Sequence, residues 1–184
     1  KRIYYIQTKA GMNTLHEVDV QSGEIREMDM TPYTSLSQPA VSKDDRLSLL
    51  ASAPSISPRV ISVKDGRFTI HQRSTSEAIP PEDLPTPYEI NWTSSDGETV
   101  YGIYSPPTSS RFEGQGRPPA IVMVHGGPTS SVSIGYDLEA AFFTSRGYGY
   151  LEVNYRGSTG YGGGYREALR GNWGHLDVID AAGG

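Results

Sequence analysis

Two glycine-rich stretches hold the residue types that chemistry would require. The first is His125-Gly126-Gly127-Pro128, which ends the apolar run Ala120 to Val124. A continuous apolar run predicts a strand buried on both faces, and the carboxyl ends of such strands form the ligand-binding edge of an open α/β sheet. Adjacent glycines let a backbone N–H approach a substrate with no Cβ in the way. Such a donor, aimed at a forming oxyanion, lowers an acyl-transfer barrier by roughly 3–4 kcal/mol. By themselves the four residues fit a plain strand-end turn equally well.

The second stretch, Asn154-Tyr155-Arg156-Gly157-Ser158, leaves another strand at the same edge. Arg156 could bind a substrate carboxylate or carbonyl, or anchor the loop through an ion pair. Anchoring is favoured, since arginine forks commonly organise loops. His125 is not read as a catalytic base, because the triad histidine of α/β-hydrolases comes last in chain order. It is expected to support its loop by a hydrogen bond. His16 and His71 lie in strand-like sequence and read as surface residues, while His175 has no companion at metal-ligand spacing, so no metal is expected. The glycines between 160 and 164 match neither nucleotide-loop pattern, and no cofactor is expected. Tyr161 and Tyr165 read as packing residues beside that loop.

These turns need a scaffold. Leu138, Ala141, Phe142 and Ser145 recur at helical spacing, and Gly147 is a natural stop. With the strands Ala120 to Val124 and Tyr148 to Asn154 on either side, the pattern is a strand–helix–strand crossover of an α/β sheet. Ahead of it, Tyr88 to Thr93 and Thr99 to Tyr104 flank Ser95-Asp96-Gly97-Glu98 as a hairpin. Helical turns are expected at Tyr165 to Leu169 and from near Trp173. Residues 1–75 read instead as a meander of short strands. Asp65-Gly66 between two such runs is its strongest hairpin cue. The prolines at 80, 81, 85 and 87 mark residues 76–87 as a linker, leaving 88–184 as the second domain.

Composition narrows the options further. Sixteen basic against 21 acidic residues give a net charge of −5, with no basic run, so neither nucleic acid nor a membrane surface is an expected partner. The absence of cysteine excludes disulfides and a thiol nucleophile. No signal peptide is visible at the start, and a cytoplasmic location is the expectation.

In these motifs the chain resembles the prolyl oligopeptidase family of serine peptidases, closest to its acylaminoacyl-peptidase and dipeptidyl-peptidase-like branch. The matching fragments run in order: H-G-G-P at 125–128, R-G-Y at 146–148, N-Y-R-G-S-T-G-Y-G at 154–162, Tyr165-Arg166, and N-W-G-H-L-D-V-I-D at 172–180. The resemblance implies that residues 1–75 are the last part of a β-propeller. Val41 to Leu47 matches the S-x-D-x-R-L turn that recurs in propeller blades. Residues 88–184 would then be the N-terminal part of an α/β-hydrolase catalytic domain. It implies cleavage of short peptides through an acyl-enzyme, with the Gly127 N–H as one oxyanion donor. No G-x-S-x-G nucleophile turn occurs in the chain, nor the aspartate and histidine that would follow it. The chain is therefore read as a truncated fragment, inactive alone. Its sheet would lack the central nucleophile-bearing strand, leaving Tyr148 to Asn154 as an exposed apolar edge. The expected partners are a peptide substrate and either the remaining part of the hydrolase domain or a second copy of the chain. An esterase of the same fold, or a non-catalytic interaction module, are the competing readings.

Overall fold

A computed structural model of the chain describes residues 1–76, 79–127 and 129–184. Glu77 and Ala78 of the expected linker, and Pro128 of the H-G-G-P turn, lie outside the described residues. The architecture is mostly sheet with few helices. Strands β1 (Arg2–Lys9), β2 (Met12–Asp19) and β3 (Ile25–Met28) form one antiparallel sheet. Strands β4 (Ser35–Val41), β5 (Leu47–Ala53), β6 (Ile56–Lys64) and β7 (Arg67–Arg73) form a second. The Asp65-Gly66 turn joins β6 to β7 with φ of 51° and 72°, the paired positive values that a type I′ turn demands. Leu15, Leu36, Leu47, Leu49, Ile61 and Val63 form one buried core shared by the two sheets.

Strands β3 and β4 are absent from the sequence-level reading. The run Ile25-Arg26-Glu27-Met28 has no clean alternation, and β4 contains Pro39, which cannot donate to a ladder. Both strands lie at sheet edges, where such residues are tolerated. In β4 the register shifts between Ser37 and Ala40, with Gln38 at φ 53°, so the proline sits in a bulge.

The third sheet positions the two glycine-rich turns. It contains β8 (Tyr88–Thr93), β9 (Thr99–Ser105), β10 (Ala120–Val124) and β11 (Gly149–Asn154), in the order β10-β11-β9-β8. Strands β10 and β11 run parallel, and the other pairings are antiparallel. Helix α1 (Leu138–Thr144) makes the crossover, with the Asp137 carboxylate accepting the N–H groups of Glu139 and Ala140 as an N-cap. Helices α2 (Gly163–Glu167) and α3 (Leu176–Gly183) follow. One face of the sheet, carrying Val100, Leu151 and Val153, packs with Leu169, Leu176 and Ala181.

Two expectations are corrected here. The edges of the sheet are β10 and β8, not the Tyr148 to Asn154 strand, because β9 returns antiparallel and pairs with the second side of β11. Nor is β10 buried on both faces. Val122 and Val124 remain 48% and 44% exposed. An apolar run reports that a strand is suited to burial, not which strand takes the edge.

On the opposite face of β11, Tyr150 stacks on Phe143 of α1 at 5.9 Å. Glu152 follows on the same face. Burial, then the nearby charges of Asp137 and Glu139, push its carboxyl up to about 7. The folded state thus holds this proton more tightly than the unfolded chain does. The resulting contribution to stability is present at acid pH and lost as pH rises through about 7. Glu152→Gln should therefore flatten the fall in thermal stability between pH 5 and pH 8, roughly the range spanned by the ordinary and raised carboxyl values. Melting curves of both proteins across that range test it, and identical pH profiles would refute it.

Candidate active site

Parallel pairing of β10 and β11 makes both turns emerge at one sheet edge, and the structure joins them by a dense set of bonds. The Tyr155 hydroxyl donates to the His125 carbonyl at 3.0 Å. The Tyr155 ring stacks on the His125 imidazole, centroids 4.5 Å apart. His125 Nε2 lies 2.8 Å from the Ser158 hydroxyl, and its Nδ1 lies 2.9 Å from the Gly126 carbonyl. Further along, the Val132 N–H donates to Asn154 Oδ1 at 2.8 Å, and the Thr159 N–H donates to the Ser130 carbonyl at 2.9 Å. The loop after β10 is thus held at several points by the end of β11 and the loop that follows it.

Gly127 lies exposed in this turn at φ 138°, a conformation that L side chains rarely adopt. A Cβ built there would lie 3.1 Å from the Ser130 Cβ and 3.2 Å from the Ser130 nitrogen. Backbone access at this point depends on glycine. The same loop also meets the first part of the chain. The Ile134 N–H donates to the Gly11 carbonyl at 2.6 Å, and the Thr34 hydroxyl donates to the Ile134 carbonyl at 2.5 Å.

Arg156 lies beneath the turns and is largely buried, at 7% exposure. Its Nε and one terminal nitrogen donate to the Asp180 carboxylate, the shortest at 2.7 Å, and the other terminal nitrogen donates to Asp96 at 2.6 Å. The Arg156 backbone N–H adds a bond of 2.9 Å to Asp180. Asp180 is fully buried on α3, while Asp96 is at the rim in the β8–β9 turn. The Arg156 hydrogen bond holds the Asp96 carboxyl below its ordinary range. One guanidinium therefore ties the loop after β11 to α3 and to the β8–β9 hairpin. Its bonds run to carboxylates, the arrangement of an anchoring residue.

Tyr155, Ser158, Asn154 and Asp180 join this site; the sequence placed them within motifs but gave none of them a role of its own. Asp180 left a trace: on α3 it lies one turn from Leu176, a charge on an apolar face, and such a charge must find a partner. Ser158 and Tyr155 were visible only as members of their motif, since their roles depend on the distance between two loops. Tyr161 and Tyr165 do pack, each against Tyr101, and each also donates or receives a hydrogen bond at Asn154.

A mixed sheet that delivers two interlocked, glycine-rich turns to one end, with helices packed against it, defines an α/β arrangement. Residues 134–184 match the Prolyl oligopeptidase family. Over 102 residues the chain is 37% identical to the dipeptidyl aminopeptidase BIII of Pseudoxanthomonas mexicana, covering 52% of this chain and 14% of that protein. Over 196 aligned residues it is 30% identical to the acylamino-acid-releasing enzyme of Mus musculus, covering 98% of this chain and 26% of the enzyme. The structure of a puromycin-hydrolyzing peptidase from Mycobacterium tuberculosis superposes with a TM-score of 0.88 at 33% identity, covering 99% of this chain and 28% of that one. The chain belongs to the prolyl oligopeptidase family of serine peptidases, and it spans about a quarter or less of the length of these relatives.

The buried ion pair yields a measurable expectation. Arg156→Ala would leave the Asp180 carboxylate buried without its counter-charge, a loss of about 3–5 kcal/mol for a pair of this kind. Arg156→Lys should fall between the two, since an ammonium cannot reproduce the two-pronged contact. Denaturant titration of the three proteins provides the comparison, and an Arg156→Ala protein as stable as the parent would remove the anchoring role.

Proposed function

We propose that this chain supplies the oxyanion turn of a serine peptidase that cleaves short peptides through an acyl-enzyme, releasing aminoacyl, dipeptidyl or acylaminoacyl units. The observation that carries the proposal is the exposed Gly127 turn, fixed by the loop after β11 at the ligand-binding edge of the sheet. The Gly127 N–H is the proposed donor to the tetrahedral intermediate, with His125 supporting the turn and Arg156 anchoring the loop beside it. Relatives named for dipeptidyl, acylamino-acid and puromycin hydrolysis support this substrate class.

In this reading residues 1–75 are the last part of a β-propeller that gates access, and residues 88–184 are the N-terminal part of an α/β-hydrolase domain. The proposed partners are a peptide substrate and the remaining part of that domain, for which the open, apolar edge of β10 is suited. The nucleophile would come from that remaining part. The 184-residue chain alone, having no G-x-S-x-G, should therefore not react with a fluorophosphonate probe.

The decisive variant is Gly127→Ala in the full-length gene product. Loss of one oxyanion donor should lower kcat by roughly 10²–10³-fold. KM should change far less, since the donor meets charge that develops only in the transition state. The added Cβ would also be strained at this φ, so a thermal melt must accompany the kinetics. A fully active Gly127→Ala enzyme, or one inactive only through unfolding, would return the turn to a structural role.

A further inference from the structure

A cavity of about 1140 Å³ lies at the end of the third sheet opposite the two glycine turns, between the last residues of β9 and the segments that lead into β10 and β11. Strand β10 has five residues, which puts roughly 16 Å between this end and the turns. Residues 106–119, which join β9 to β10, form most of the wall.

That loop is fixed where it leaves the sheet. The Thr108 N–H donates to the Thr144 carbonyl of α1 at 3.1 Å, the Ser110 N–H to the Asp83 carboxylate at 2.7 Å, and the Arg111 N–H to the Ser109 hydroxyl at 3.2 Å. Prolines at 106, 107, 118 and 119 stiffen both of its ends.

The wall carries three arginines, Arg111, Arg117 and Arg146, against one carboxylate, Glu113. None of the three forms an ion pair among the described residues. Asp83, which lines the adjoining hollow with Arg111, accepts from the Ser110 backbone instead. Elsewhere Arg2 and Arg26 lie against Glu17, Arg46 against Asp44, and Arg166 and Arg170 against Glu167. A chain of net charge −5 therefore leaves three guanidinium groups uncompensated around one cavity.

Two of these groups are also held in place. The Arg146 guanidinium lies 3.7 Å over the Phe142 ring and donates to the Phe142 carbonyl at 2.8 Å, while Arg111 lies 5.6 Å from the Phe112 centroid. Stacking grips a guanidinium by its face and leaves the edge of the fork free for an oxyanion. Thr144, fully buried in the same wall, has a hydroxyl with no hydrogen-bond partner among the described residues. A ligand oxygen, or a water held by the ligand, satisfies such a group.

Cavities that take small molecules measure roughly 300–1,000 Å³, so there is room here for such a ligand and its water. Three cations against one carboxylate leave an excess of positive charge that a monoanion would not balance. We propose that the cavity between the β9–β10 loop and the end of α1 binds a small polyanion, a molecule bearing two or more phosphate or carboxylate groups, on the forks of Arg111, Arg117 and Arg146. Phe112, 68% exposed on the same wall, offers apolar surface to the rest of the ligand. The inference does not depend on the oxyanion reading.

Titration calorimetry on the full-length gene product tests it, at about 0.1 M salt so that charges beyond ~10 Å are screened. The probes are pyrophosphate, citrate and inorganic phosphate. Pyrophosphate or citrate should bind at one saturable site with Kd below about 1 mM, and inorganic phosphate at least about 10-fold more weakly. The tighter of the first two tells which group, phosphate or carboxylate, the forks prefer. Arg111→Glu/Arg117→Glu should weaken binding at least about 30-fold. Both side chains are exposed, so its melting temperature should stay within about 3 °C of the parent. Arg117→Ala, which removes one fork without adding charge, should weaken binding about 5-fold and decides the matter if the double variant melts early. Arg166→Glu/Arg170→Glu makes the same change in net charge on another surface and should leave Kd within about 2-fold. No saturable binding of either polyanion, an equal loss in both double variants, or parent affinity in Arg111→Glu/Arg117→Glu overturns the proposal. Binding of poly-glutamate where neither small polyanion binds would assign the surface to an acidic polypeptide and refute the small-ligand site.

Discussion

The constraint on which the site depends is the parallel pairing of β10 with β11. Antiparallel neighbours would send their following loops to opposite ends of the sheet. Parallel neighbours joined by a crossover helix send them to the same end. Residue-by-residue register from Ala120 opposite Gly149 to Val124 opposite Val153 brings the two strands to their ends together. His125 and Tyr155 can then stack, and the loops that follow can exchange hydrogen bonds down to Ser130 and Thr159. The glycines of the first loop supply access, and the polar residues of the second supply rigidity.

Rigidity matters here because a short exposed turn rich in glycine has a large conformational entropy to lose. In the role proposed for the turn, an electrostatic donor works best when it is already aimed before charge develops. The second loop cannot provide that aim unless it is itself fixed. Arg156 meets this need by drawing its own backbone and guanidinium onto Asp180, buried on α3, with Asp96 bridging to the hairpin before it. Fixation therefore passes from helix to loop to turn. The loop after β10 also reaches Gly11 and Thr34 of the first part of the chain, so the sheet that carries the turn and the strands of the first 75 residues share this segment as a contact.

Much of this was legible in the residues. The crossover read correctly because an apolar strand, a helical periodicity and a second strand are each local patterns. The hairpins at Asp65-Gly66 and at Asp96-Gly97 read correctly because turn chemistry is local too. What escaped was of two kinds. Strands β3 and β4 lacked alternation or contained a proline, and edges tolerate both. The choice of which strand would lie at the edge depended on where β9 paired, a decision made by a segment some 45 residues away from the strand it displaced from the edge, and closed across a long loop at modest entropic cost.

By itself the sequence determined the menu: two glycine turns at strand ends, an arginine ready to pair, a histidine beside the first glycine, and the family in which these recur in order. It did so because strand propensity, turn type and motif spacing are carried by neighbouring residues. Only the tertiary structure decided the partners: Asp180 and Asp96 for Arg156, Ser158 and Tyr155 for His125, Asn154 for Val132. Those bonds join residues 22 to 60 positions apart, and hydrogen bonds form or fail over tenths of an ångström, a distance set by sheet register and helix packing and not written in any local run of the chain.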